Sequence, residues 1–129
     1  MSHRQRLPTL STTLLVSAAV LGGLAGAAEL PAGDPGRGKA LYQACTSCHS
    51  VDENDVGPRH RGVVGRPAGS LADYNYSAAL KASGLIWDPP TLDRWLTNPQ
   101  ALVPGTKMFF QLADAQQRAD IIAYLQQLK

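Results

Sequence analysis

Apolar residues recur at helical spacing in separate stretches, with long irregular segments between them. At the C-terminal end Ile121, Tyr124, Leu125 and Leu128 fall at i, i+3, i+4 and i+7, one stripe of an amphipathic helix. Asp114-x-x-Gln117 resembles a capping box at its start. A shorter helix is expected from Thr91 to about Thr97, with Leu92, Trp95 and Leu96 on one face. Asp88-Pro89-Pro90 opens it and Asn98-Pro99 stops it. Near the other end, Asp34-Pro35 reads as an N-cap followed by a first-turn proline, starting a helix that runs to about Ala44. Its apolar contacts are Leu41 and Tyr42. Gly38, inside that helix, is either merely tolerated or marks the close approach of another backbone. The spacing also allows a short helix from Asp73 to Ala82 that contains Tyr74 and Tyr76 and ends at Ser83-Gly84. Ser50 to Gly69 is loop, turned at Gly57-Pro58, and Leu102 to Gln111 is extended or irregular around Pro104-Gly105. The pattern is that of a small all-α protein with long loops. Such loops are unusual in a compact domain unless something other than the chain supplies the core.

The two cysteines of the chain lie in Cys45-Thr46-Ser47-Cys48-His49, a C-x-x-C-H run. This is the attachment signature of c-type haem. Residues three apart share a helical face, so both thiols can reach the two vinyl groups on one edge of a haem. The histidine that follows is then carried beneath the ring, where it can ligate iron from the proximal side. A zinc site would need a second Cys or His pair, which the sequence lacks. A redox dithiol would not need the adjacent histidine, and no βαβ pattern surrounds this one.

The N-terminus fits that chemistry. Arg4 and Arg6 precede an apolar, small-residue stretch from Leu10 to about Leu24, followed by Ala25-Gly26-Ala27-Ala28. This is the layout of a secretory signal peptide, with cleavage expected after Ala27 or Ala28. The competing reading, a retained membrane anchor, is disfavoured because the stretch is short and diluted by Ser, Thr and Gly. Residues 1–28 are thus read as leader and 29–129 as one domain, exported to the periplasm, where c-type haem is attached. The chain has 12 basic and 10 acidic side chains. Arg4 and Arg6 account for the excess, so the domain is formally neutral and gives no reason to expect nucleic acid. So small a domain buries a limited core. A large flat haem would provide much of its interior, and the apoprotein should fold poorly.

A second iron ligand can be sought by elimination. Beyond the leader, Met108 is the single methionine and His60 the one histidine besides His49. Met108 lies within Pro104-Gly105-Thr106-Lys107-Met108-Phe109-Phe110, a loop pinned by proline and glycine. A thioether there would give iron a soft, neutral ligand that raises the potential. Met108 could equally fill the core among phenylalanines.

From about Gly33 to Leu128 the chain resembles class I cytochrome c of the mitochondrial type and its bacterial relatives. The resemblance is carried by Gly38-Lys39 with Tyr42, Cys45 to His49, Gly57-Pro58, Gly65-Arg66 and Tyr74-x-Tyr76-Ser77. It continues through Gly84-x-x-Trp87, Thr91-Leu92, Asn98-Pro99, Pro104 to Met108, and Ile122-Ala123-Tyr124-Leu125. It implies one haem c held covalently by Cys45 and Cys48, with His49 and Met108 as axial ligands. It also implies first and last helices crossing near Gly38, Tyr42 and Tyr124. Arg66, Tyr76 and Trp87 would surround the haem propionates, since buried carboxylates need donors and positive charge. The backbone carbonyl of Pro58 would orient the proximal imidazole. Trp95 stands where the family usually has a tyrosine near the methionine side, and an indole donates but cannot accept.

Other departures concern the loop after His49, shorter than in mitochondrial proteins, and His60, which occupies a position the family commonly gives to leucine. His60 is read as a buried packing histidine or a local displacement of the chain, with misligation a weak third reading. Most of the mitochondrial lysine ring is missing: Lys107 alone clearly matches it. With both axial sites filled by the protein, iron has no open position for substrate, and the implied role is a one-electron carrier cycling Fe(III)/Fe(II), not an enzyme. The expected donor is a cytochrome bc complex or a dehydrogenase, the expected acceptor a terminal oxidase or similar protein, and the expected state a monomer. No stable membrane insertion is expected once the leader is cleaved. Two alternatives are a fixed haem subunit of a periplasmic dehydrogenase and a peroxidase or gas-binding protein with a labile Met108.

Overall fold

The computed structural model describes residues 29–129, and the expected leader lies outside the described residues. Among the described residues there are five α-helices: α1 (Pro35–Leu41), α2 (Ala78–Ala82), α3 (Pro89–Thr97), α4 (Pro99–Leu102) and α5 (Ala115–Leu125). A 3₁₀ turn, Tyr42–Cys45, continues α1 toward His49. Among the described residues there is no strand, only an isolated antiparallel bridge between Pro67 and Ile86.

Each helix starts where a short polar side chain can satisfy a free backbone N–H. Asp34 accepts from Arg37 N, Asp88 from Thr91 N and Asp114 from Gln117 N, as the sequence implies. Two boundaries differ from expectation. The helix expected from Asp73 begins only at Ala78, because Ser77 in extended conformation caps it through Leu80 N. Tyr74 and Tyr76 therefore lie in the turns ahead of α2. The segment after Asn98-Pro99 is also more regular than expected. Asn98 is extended (φ −163°, ψ 97°), which ends α3, and its side chain accepts from Ala101 N, which starts α4.

The frame is the crossing of α1 and α5. Gly38 is buried there, and a Cβ on it would collide with the Asp120 carbonyl of α5, so close backbone approach is the reason for the glycine. The Tyr42 and Tyr124 rings meet beside the crossing at 5.1 Å. Asp120, 2% exposed, fastens the two ends together. It accepts from Asp34 N (2.7 Å), from Gln116 Nε2 (3.0 Å) and from the Arg37 guanidinium through Nε (2.8 Å) and Nη2 (3.0 Å). These bonds hold its carboxyl well below the usual carboxylate range, the Arg37 bond foremost. Against α5 lies α3, with Leu92, Trp95 and Leu96 buried. Arg118 of α5 pairs with Asp93 of α3 (2.7 Å) and donates to the carbonyls of Leu112 and Ala113. One side chain thus ties two helices to the segment that follows Met108.

Candidate haem-binding site

The core is hollow. Between α3, α5 and the loops is a cavity of about 410 Å³ whose lining is mostly apolar and includes every residue expected to touch haem: Cys45, Cys48, His49, Pro58, Arg66, Tyr76, Trp87, Trp95 and Met108. The long loops converge on it, which resolves why a domain this small has them.

The 3₁₀ turn and the bonds from Cys48 N (3.1 Å) and His49 N (2.9 Å) to the Cys45 carbonyl set the two thiols and the imidazole on one tight turn. Neither cysteine is in a disulfide; Cys45 is half-buried and Cys48 exposed. Burial pushes the Cys45 thiol up to about 11.

His49 Nδ1 lies 2.7 Å from the Pro58 carbonyl. A carbonyl can only accept, so Nδ1 carries the proton and Nε2 keeps its lone pair for a metal. Burial lowers the pKa of the imidazole, partly opposed by that same bond. Gly57 lies against the ring, where a Cβ would strike the imidazole. Its role goes beyond the turn for which the sequence singles it out.

Backbone pairing brings Arg66 beside Trp87: Trp87 N donates to the Arg66 carbonyl (3.0 Å) and Gly65 N to the Trp87 carbonyl (2.9 Å). Arg66 donates to the carbonyls of Arg59 (2.8 Å) and Arg61 (3.2 Å), yet its Nε is buried without a partner. A charged donor left bare inside a protein is costly and calls for an acceptor. A haem propionate is an acceptor of the kind that would answer that need. Tyr76 and the buried hydroxyl residue Thr106 line the same space.

At the other side of the site Trp95 Nε1–H donates to Met108 Sδ (3.2 Å). The Met108 loop is held by Gln100 of α4, whose Nε2 donates to the carbonyls of Thr106 (2.7 Å) and Met108 (3.0 Å). No local signal singles out Gln100, because its importance depends on a helix that the Asn98-Pro99 stop signal conceals. Lys107 points its ammonium at the Asn75 carbonyl (2.6 Å).

His60 is a packing histidine that lines the cavity. Its ring stacks on His49, with centroids 4.0 Å apart and planes 21° from parallel, and its Nδ1 is 2.9 Å from the Tyr42 hydroxyl. Burial, with His49 and Arg66 adding to it, pushes its pKa down to about 3, so the ring is neutral. Its partner Tyr42 was expected only as an apolar contact.

An apolar cavity, two cysteines without a disulfide on a C-x-x-C-H turn, an imidazole with its lone pair available and a buried guanidinium donor without a protein partner together define a haem protein of the c type. The chain belongs to the cytochrome c family: the family model for cytochrome c matches residues 36–129. It is 50% identical over 103 residues to cytochrome c2 of Rhodomicrobium vannielii, covering 77% of this chain and 82% of that protein. It is 48% identical to cytochrome c2 of Rhodopila globiformis, covering 77% of this chain and 97% of that protein. Among solved structures it is similar to cytochrome cH from Methylobacterium extorquens (TM-score 0.71, 48% identity, covering 73% of this chain and 98% of that one). It is also similar to ferricytochrome c2 from Rhodopseudomonas palustris (TM-score 0.71, 39% identity, covering 74% and 99%). The fold is the small all-α class I cytochrome c fold, its cofactor is one covalently bound haem c, and the protein is an electron carrier, not an enzyme.

Proposed function

We propose that this protein shuttles single electrons in the periplasm, taking them from a cytochrome bc complex or a dehydrogenase and passing them to a terminal oxidase or similar acceptor. The observation that carries the reading is that His49, with Nε2 available, and Met108 line one cavity with both thiols. Haem c supplies a one-electron Fe(III)/Fe(II) couple when bound. Cys45 and Cys48 would anchor it as thioethers, and His49 and Met108 would both ligate its iron, which would leave no position for substrate. Arg66, Tyr76 and Trp87 would offer donors and positive charge to its propionates. A thioether has two lone pairs, so Met108 can give one to iron while the other accepts from Trp95. Pro58, Gly57 and Gln100 hold the two ligands so that little needs to move when the charge changes.

Export rests on the leader-like residues 1–28 and on the motif. Among the described residues no helix is long and apolar enough to cross a membrane. N-terminal sequencing of the exported holoprotein should begin near Ala28 or Glu29.

The experiment that tests the ligation is an absorption spectrum in both oxidation states. A sharp low-spin ferrous spectrum with the weak far-red ferric band of methionine–iron ligation is expected. A high-spin spectrum, or ready binding of carbon monoxide, would sink the shuttle reading in favour of a peroxidase or gas sensor.

A further inference from the structure

Haem iron responds to the identity of its axial ligands and also to what holds them, because neighbours fix a ligand's orientation and basicity. The residue expected to hold His49 is Pro58, through one hydrogen bond to Nδ1. That bond fixes the tautomer, and Gly57 limits the ring on one side, but neither presents a flat surface parallel to the imidazole. A planar contact against the ring face would define its plane more closely.

His60 provides that contact. It stacks on His49 at 4.0 Å, and its own plane is set from behind. Tyr42 is 3% exposed, and its hydroxyl has His60 Nδ1 as its partner at 2.9 Å. If Nδ1 carried the proton, that buried hydroxyl hydrogen would lack an acceptor. The Tyr42 O–H therefore donates to Nδ1, and His60 is the Nε2–H tautomer. Backbone bonds place the pair: His60 N donates to the Ser50 carbonyl (3.0 Å), Arg61 N to Val51 (2.7 Å) and Gly62 N to Leu128 (2.6 Å). The loop carrying His60 is thus laid along the residues just after His49 and fastened to the C-terminus. Tyr42 is itself wedged against Tyr124 of α5 (5.1 Å).

We infer that His60, held by Tyr42, is a positioning residue for the iron: it fixes the plane of the His49 imidazole through ring stacking and thereby helps to set the reduction potential. An aliphatic side chain at this place would fill the volume without defining an angle. The inference rests on His49 being the proximal ligand, as proposed above. It links the α1–α5 crossing to the iron through a chain of three aromatic side chains, Tyr124, Tyr42 and His60.

The test uses the exported holoprotein with His60→Leu and, separately, Tyr42→Phe, which deletes the hydrogen bond while keeping the ring. Proton NMR of the ferric state reads the axial imidazole plane through the spread of the haem methyl shifts, and voltammetry reads the potential. The expected result for His60→Leu is a rearranged methyl pattern and a shifted potential, with the far-red methionine band intact. Tyr42→Phe should move the same signals the same way by less, and it serves alone should His60→Leu not fold. Parental methyl patterns and potentials in the variants, on an intact low-spin spectrum, would overturn the inference and leave the ligation reading standing. A parent without a histidine-ligated low-spin spectrum would bring down the ligation reading and this inference with it.

Discussion

Trp95 shows how one side chain can alter the iron site while leaving the fold unchanged. Its ring is core, packed edge-on to Trp87 at 5.0 Å, and its N–H ends on Met108 Sδ. The positive end of the indole dipole therefore faces the ligand. It disfavours the more positive Fe(III) state and should raise the potential. Trp95→Phe keeps most of the ring and removes the donor. The expected outcome is a lower midpoint potential by voltammetry. A hydrogen bond worth about 0.5–1.5 kcal/mol caps the change at about 60 mV for a one-electron couple. An unchanged or higher potential would mean that the indole dipole has no leverage on the iron. Arg66 carries the matching argument at the propionate side, where its bare Nε marks the place of a charge the protein chain itself does not supply.

Among the elements, the α1–α5 crossing holds the most stabilising contacts outside the cavity. Gly38→Ala would drive a methyl into the Asp120 carbonyl, and backbone cannot swing aside as a side chain would. We expect a loss near the upper end of the about 1–3 kcal/mol typical of overpacking, in denaturant unfolding of the holoprotein. The Asp120 cluster adds a pH signature. Its folded pKa is depressed, so its contribution is complete above the unfolded carboxylate value of about 4 and is lost as pH falls through the lower folded value. Asp120→Asn should therefore be markedly less stable than the parent at pH 7. The gap should narrow steadily as the pH is lowered below about 4. A gap independent of pH would show that the carboxylate charge is irrelevant and that packing alone matters. α4 is an element of another kind: four residues whose one polar side chain, Gln100, fastens the Met108 loop.

For the whole molecule the cavity decides the outcome. Without the haem, an apolar cavity of about 410 Å³ would open core side chains such as Leu92, Leu96 and Ile121 to water, at a cost to the hydrophobic stabilisation of so small a domain. Cofactor and fold are therefore one cooperative unit. A Cys45→Ala, Cys48→Ala chain made without haem should show little helical circular dichroism, and a native-like spectrum with a sharp melt would contradict this. The outer surface bears on partners. Val56 (70% exposed), Phe109 (74%) and Phe110 (39%) line the mouth of the cavity, while Lys107 is engaged with Asn75. With a formally neutral domain behind an apolar mouth, electron-transfer rates with the physiological partner should fall only weakly with ionic strength. A steep dependence would show steering by a charged face.

What the sequence determined by itself is whatever short-range chemistry dictates. The C-x-x-C-H turn, the Asp34, Asp88 and Asp114 caps and the stripe of α5 are legible because each depends on residues within a turn or two of one another. For the second iron ligand, elimination leaves Met108 and His60, and family resemblance chooses Met108. Gly38 could be read only as one of two alternatives, because its meaning lies in the carbonyl of a residue 82 positions away. Tertiary structure alone decided that Asn98 ends one helix and starts the next, that Gln100 holds the methionine loop and that Arg66 keeps a donor free. It also put His60, Tyr42 and His49 in one stack, although the spacing of 18 between Tyr42 and His60 carries no local signal. Hydrogen bonds and ring contacts between distant segments form only after loops close around a core, and in this chain that core is the haem.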